Sequence, residues 1–185
     1  MSNQFISPKG IAKYPHFLEP DTQGKFPTGK YSTKLIMSPA DAKPLIAIID
    51  AMAKGHKSSA PKLPYKMELV KDGEAKKESG NIQFSLSSKF PPVLMDGKNQ
   101  PINLKKMAKD FDIGSGSKVR IAGELFSYDT GISLQMKQVQ LLELVNGRES
   151  MFDETDEGTF DGSEYEDGSA PQGSFTEQNV KDLGI

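Results

Sequence analysis

Ser117-Lys118-Val119-Arg120-Ile121-Ala122-Gly123-Glu124-Leu125-Phe126-Ser127-Tyr128 is followed by Asp129-Thr130-Gly131, and then by Ile132-Ser133-Leu134-Gln135-Met136-Lys137-Gln138-Val139-Gln140-Leu141-Leu142-Glu143-Leu144. In the first run Val119, Ile121 and Leu125 share one parity, the pattern of a strand with one buried face. In the last run apolar residues stand at 132, 134 and 136, then at 139 and 141. That change of parity predicts a bulge near Lys137-Gln138. Asp129-Thr130-Gly131 reads as a turn, so the two runs predict a long β-hairpin.

The flanking sequence repeats the strand period. Tyr31, Thr33, Leu35 and Met37 fall on one face of a strand over 30–37, and Ile82, Phe84 and Leu86 on one face over 81–88. Asp72-Gly73 and Asp96-Gly97 mark further turns. One helix is expected after Ser38 as N-cap, with Pro39 at its first position and Asp41 complementing the dipole. Ile46, Ile49 and Ala53 carry its period, Pro44 lies in its first turns, and Gly55 ends it. A shorter helix is expected over 104–109. Tyr14, Phe17, Phe26 and Tyr65 read as aromatics in or beside loops. Short strands, a long hairpin and one principal helix predict a mainly β chain. The first candidate is the OB-fold, a five-stranded Greek-key barrel whose closure removes exposed edges. An open sandwich is the alternative.

Composition narrows the function classes. The chain of 185 residues has no Cys and two His, which excludes disulfides, thiolate metal sites and an all-His zinc centre. No run of about 18 apolar residues occurs, so no membrane-spanning helix is expected. Met1 to Lys9 lacks a charged segment followed by an apolar core, so a signal peptide is not expected and a soluble intracellular protein is. The net charge of −2 hides a division. Residues 1–148 carry 22 Lys and Arg against 14 Asp and Glu, a net of +8, and residues 149–185 carry one against 11, a net of −10. From Asn146-Gly147-Arg148 onward the composition turns to Asp, Glu, Gly and Ser. Such a segment is expected to be disordered, because it cannot bury enough surface to offset its chain entropy. Two domains follow: a folded body over 1–148 and an acidic tail over 149–185.

Enzyme signatures are missing. Gly114-Ser115-Gly116-Ser117-Lys118 precedes a strand where a phosphate-binding loop requires a helix, and its spacing differs. Asp110 and Asp112 form a candidate carboxylate pair for a divalent ion, but alternate residues on an extended chain point apart. His16 and His56 have no evident Ser or carboxylate partner. The basic residues say more. Lys118 and Arg120 share strand parity with Phe126 and Tyr128, opposite the core-facing Val119, Ile121 and Leu125. One sheet face would then offer two cations and two rings, which suits a single nucleic-acid strand: cations track phosphates and rings stack on bases. Glu124 has the same parity and interrupts that stripe. Lys30 and Lys34 share a face of the strand over 30–37, and Lys105, Lys106 and Lys109 form another cluster. An acidic tail tethered to a cationic groove can compete for it with a polyanion.

The order of these segments resembles the single-stranded DNA-binding proteins of short-tailed phages of the T-seven type. The resemblance is carried by Ile113 to Ile121 with Gly114-Ser115-Gly116-Ser117-Lys118, then Tyr128, Gly131 to Lys137 and Val139 to Leu144. Gly29-Lys30-Tyr31, the helix end Lys54-Gly55-His56 and the strand around Phe84 add to it. Most of residues 5–145 is spanned in order, and the block 113–144 is the specific part. The resemblance implies an OB-fold that coats single-stranded DNA in phage replication and recombination, in the cytoplasm of the infected bacterial host. It also implies dimerisation, and an acidic tail that contacts replication enzymes such as polymerase and helicase/primase. The family's binding cation falls on Arg120, its stacking tyrosine on Tyr128, and a neighbouring basic position on Lys118. A second cation of that family is Ala122 here, and its positions after the Phe84 match are Ser85 and Ser87. DNA contact through Lys30, Lys34, Lys89 and Phe126 is therefore expected beside Arg120 and Tyr128. The tail ends Lys181-Asp182-Leu183-Gly184-Ile185, and its acidic block comes earlier. The partner-binding residues are expected to be Asp153, Glu154, Asp156, Glu157, Phe160, Asp161, Glu164, Tyr165, Glu166 and Asp167.

The reading is a sequence-tolerant single-stranded DNA-binding protein with neither catalysis nor cofactor. Two rivals stand beside it: a DNA-mimic interaction module or inhibitor, and a metal-dependent phosphodiesterase built on Asp110 and Asp112.

Overall fold

The structure, a computed structural model, describes residues 3–109 and 111–145. Its elements in chain order are β1 (Gln4–Ile6), β2 (Gly10–His16), β3 (Tyr31–Met37), α1 (Pro39–Lys54), β4 (Tyr65–Asp72), β5 (Ala75–Ser88), β6 (Val93–Met95), a 3-10 turn (Leu104–Lys106), β7 (Lys118–Tyr128) and β8 (Gly131–Glu143). β2 pairs with β3 and β3 with β5, both antiparallel. β5 runs parallel to β8, β8 antiparallel to β7, and β7 antiparallel to β2. Five strands therefore close on themselves in the OB topology, and no edge is left in the ring. Three further strands are appended to it: β1 on β7, β4 on β5 and β6 on β8.

The hairpin β7–β8 follows its sequence pattern closely. Tyr128 pairs with Gly131 across the turn. Ala122 faces Gln138 while Gly123 faces Met136, so Lys137 is the extra residue and the bulge falls where the parity changes. At that point the strands come close: a Cβ on Gly123 would collide with the carbonyl of Gln135. On either side of the bulge Val119, Ile121, Leu125, Leu134, Met136 and Val139 are buried, with Leu35, Phe84 and Leu86 from β3 and β5. Full burial of each such Val, Leu, Ile or Phe is worth about 1.5–3 kcal/mol. α1 adds Ala42, Leu45 and Ile49 to this core. Its first turn is closed by Ser38, whose Oγ accepts the Asp41 N–H at 3.2 Å and donates to Asp41 Oδ2 at 2.8 Å. Among the described residues no helix is long and apolar enough to cross a membrane.

The aromatics expected in or beside loops are placed as follows. Tyr14 lies within β2, Phe17 is a buried core residue, and Tyr65 opens β4. The Tyr65 ring packs on Phe84 with centroids 5.9 Å apart, and its hydroxyl donates to Asp50 Oδ1 at 2.8 Å. Burial, then the bond to and the charge of Asp50, push the Tyr65 pKa up to about 12. The helix expected over 104–109 contracts to the single turn Leu104–Lys106. Asn103 Oδ1 accepts the Lys105 N–H at 3.1 Å, the backbone is already extended at Met107, and none of the three residues is buried. Without an apolar face to bury, further turns have nothing to stabilise them. Asp110, the boundary at 146–148 and the whole of 149–185 lie outside the described residues.

Candidate nucleic-acid interface

The outer face of β2, β3 and β5 gathers positive charge. Lys13 stands directly opposite Lys34, and Lys34 opposite Ser85, whose Oγ accepts from Lys34 Nζ at 2.9 Å. Lys66 on β4 pairs with Gln83 beside them. Burial, then the charge of Lys66, lower the pKa of Lys34. Like charges directly across a sheet are destabilising. The partial remedy is Glu68, nearly buried, which accepts Lys13 Nζ at 3.3 Å and Ser79 Oγ at 2.7 Å. One carboxylate among three lysines leaves a surplus of positive charge that a polyanion would relieve.

An exposed ring sits in this field. The pairing of β2 with β3 is irregular between Lys13 and His16, and within that bulge Tyr14 has φ +50°. This is left-handed backbone, uncommon for a residue with a side chain. The Ser115 hydroxyl accepts the Tyr14 N–H at 2.9 Å and braces it. The ring is turned outward, 66% exposed, with the Lys13 ammonium 5.7 Å from its centroid. Bulges of this kind re-aim side chains.

Tyr14, His16, Lys30, Lys34, Ser85 and Ser87 line a groove of about 440 Å³ together with one acid, Asp21, and with Ser133 of β8 on its far side. Phe126 pairs directly with Ser133 and so shares its face at the rim. The Phe126 and Tyr128 rings lie 6.3 Å apart, and both are exposed. His56 anchors this end of the hairpin. Its Nδ1 accepts the Ser58 N–H at 2.9 Å, so its Nε2 donates to the Tyr128 carbonyl at 2.6 Å.

The structure thus brings Lys30 and Lys34 together in the groove, with Phe126 and Tyr128 near its rim. Lys89 is exposed just beyond β5 and does not line the groove. Lys118 is ion-paired with Glu143 at 3.0 Å. Arg120 Nε donates to the Ser7 carbonyl at 3.4 Å, in a separate recess bounded by Ile6 and Met95. Arg120 and Tyr128 are about 26 Å apart along β7. Glu124, ion-paired with Lys137 at 2.6 Å, lies between them. Lys13, Tyr14 and Lys66 are members of the cationic face that sequence reasoning did not assign. The pair Lys13-Tyr14 was the signal available, a cation and a ring adjacent in sequence. Among the described residues no cluster of metal-ligating side chains occurs.

No protein-family model matches the sequence, and no curated protein matches it. Solved structures do. gp2.5, a single-stranded DNA-binding protein encoded by bacteriophage T7, superposes with a TM-score of 0.52 at 20% identity, covering 82% of this chain and 98% of that one. The single-stranded DNA-binding protein of bacteriophage Enc34 superposes with a TM-score of 0.52 at 19% identity, covering 82% of this chain and 87% of that one. Its C-terminally truncated form gives 0.52 at 18% identity over 76% and 86%. The chain has the OB-fold of these phage single-stranded DNA-binding proteins.

Proposed function

We propose that the chain binds single-stranded DNA, with little regard to sequence and without catalysis, along the groove between Tyr14 and the β7–β8 hairpin. The observation that carries this reading is the convergence of Lys13, Lys30 and Lys34 on an exposed, backbone-strained Tyr14. Cations at that spacing track phosphates, and a ring held outward stacks on whichever base arrives. Phe126 and Tyr128 extend the stacking surface, and Arg120, Lys118 and Lys89 supply further phosphate contacts outside the groove. The likeness in fold to phage single-stranded DNA-binding proteins supports the same ligand. Titration of the full chain with labelled oligothymidine tests the reading: saturable, salt-sensitive binding supports it, and no binding rejects it.

The resemblance extends the proposal to coating of DNA during phage replication and recombination in the host cytoplasm, to self-association, and to replication enzymes as partners of residues 149–185. A net charge of −10 tethered to a body of +8 competes with DNA at an effective concentration set by the tether. In this proposal the acidic block from Asp153 to Asp167, with Phe160 and Tyr165 among its carboxylates, is what competes with DNA. Deleting 149–185 is expected to tighten oligothymidine binding, chiefly at low salt, because exposed charges are screened beyond a Debye length of about 10 Å at 0.1 M. Deleting only 175–185 removes Phe175, Val180, Leu183 and Ile185. That deletion is expected to leave DNA binding near normal while a partner polymerase or helicase no longer binds. Unchanged low-salt affinity after the first deletion would reject the competition.

A further inference from the structure

β4 and the first half of β5 form a two-stranded ribbon appended to the barrel and joined by the turn at Gly73. Residues 75–80 of β5 are exposed throughout, so this arm owes little to the core. Near its end Lys71 pairs directly with Lys76. Neither lysine has an ion-pair partner among the described residues, whereas the neighbouring Lys77 lies 3.7 Å from Asp72. Two unpartnered cations facing each other across a ribbon weaken it, by the same cross-strand rule that applies at Lys13 and Lys34. An anion between them would reverse the sign of that interaction.

The space they border is a recess of about 470 Å³, which Lys71 and Lys76 share with Lys66, Lys13 and the half-exposed Leu69. Val70, Gln83 and Tyr14 complete its lining, and Tyr14 also lines the groove on the barrel. Tyr14, strained and turned outward, therefore stands between two cationic grooves. A strand stacked on Tyr14 meets lysines on both sides of the ring.

We propose that this recess is a second subsite for the same DNA strand, in which Lys71 and Lys76 hold phosphates beyond the barrel and Leu69 gives a base an apolar surface. The inference rests on the reading of the barrel groove as a single-strand site. It adds that the ribbon lengthens the track. From Lys66 to Lys71 the ribbon runs about 17 Å, so only an oligonucleotide long enough to pass Tyr14 reaches its end.

The test compares the full chain with its Lys71→Ala/Lys76→Ala variant on oligothymidines of about 4 and about 16 nucleotides, the range of single OB-fold site sizes. Both substitutions are at exposed positions and remove a like-charge pair, and thermal unfolding checks that the fold is kept. The short oligonucleotide is expected to bind both proteins equally. The long one is expected to bind the variant about tenfold more weakly at low salt, with a log–log salt slope shallower by about 1.4, two single-strand phosphate contacts. Equal affinity and slope on the long oligonucleotide would overturn the subsite. So would an equal loss at both lengths, which would mark a general field and not a track. Failure of the unsubstituted chain to bind either length would overturn the barrel-groove reading itself, and the subsite with it.

Discussion

Lys34→Glu is expected to weaken oligothymidine binding roughly 100-fold at low salt, because setting like charges together across an interface costs several kcal/mol. Lys34 sits at the middle of the cationic face, between Lys13 and Ser85 and beside Lys66. Its depressed pKa gives a second signature. In the free fold burial and Lys66 disfavour the charged form, so the folded chain releases this proton below the unfolded value near 10.5. The resulting cost to stability is present at neutral pH and is relieved as pH rises through the lowered pKa towards 10.5. A bound phosphate favours the charged form and raises the pKa again. DNA binding is therefore expected to take up protons in that alkaline window, and affinity to fall as pH rises through it. Lys34→Arg keeps the charge and is expected to flatten this pH dependence. Titrations at several pH values, with a fold check by circular dichroism, measure both effects. Undiminished binding by Lys34→Glu would remove Lys34 from the interface.

Tyr14→Ala is expected to cost about 1–3 kcal/mol of binding, the range for loss of one stacked base. Tyr14→Phe is expected to be nearly silent, since stacking and the Lys13 cation–π contact use the ring. Tyr14→Gly removes the ring and the left-handed strain together. It should be more stable than the alanine variant yet bind as poorly, which separates the ring's role from the backbone's. Tyr128→Ala is expected to lose a similar amount, as the resemblance implies. Arg120→Ala is expected to reduce the salt slope by about 0.7 if its one contact is a phosphate. A silent Tyr14→Ala beside costly Tyr128→Ala and Arg120→Ala would mean that DNA runs along β7 and not through the groove.

How much of this was legible in sequence depended on what each strand buries. β7 and β8 bury branched apolar side chains at alternate positions, and the parity change at Lys137 announced the bulge that the register contains. β2 gave no such signal. Its inward positions are Gly10 and Ala12, and Gly10 packs so closely on Leu35 that a Cβ there would collide with that side chain. Small residues chosen for close approach carry almost no hydrophobic pattern, so Tyr14 read as a loop residue. β4 was masked differently. Its buried position is Glu68, whose charge breaks the alternation and whose role becomes visible only beside Lys13 and Ser79. Lys30 stands exposed one residue before β3, and the outward positions of Lys34, Phe126 and Tyr128 were legible because parity on a strong strand is informative. Which of them share a groove was not, because closure of the barrel decides that Ser133 faces Lys34 and Ser85 while Arg120 faces Ile6 and Met95.

The groove is proposed to take one strand by its phosphates and bases. The most direct test is equilibrium binding of the full chain to oligothymidine and to a duplex of equal length over a salt series. Tighter binding of the single strand at physiological salt is predicted, because duplex bases are not free to stack on Tyr14. Its log–log slope should be about −0.7 for each phosphate contacted. Equal affinity for single strand and duplex at physiological salt would contradict the account.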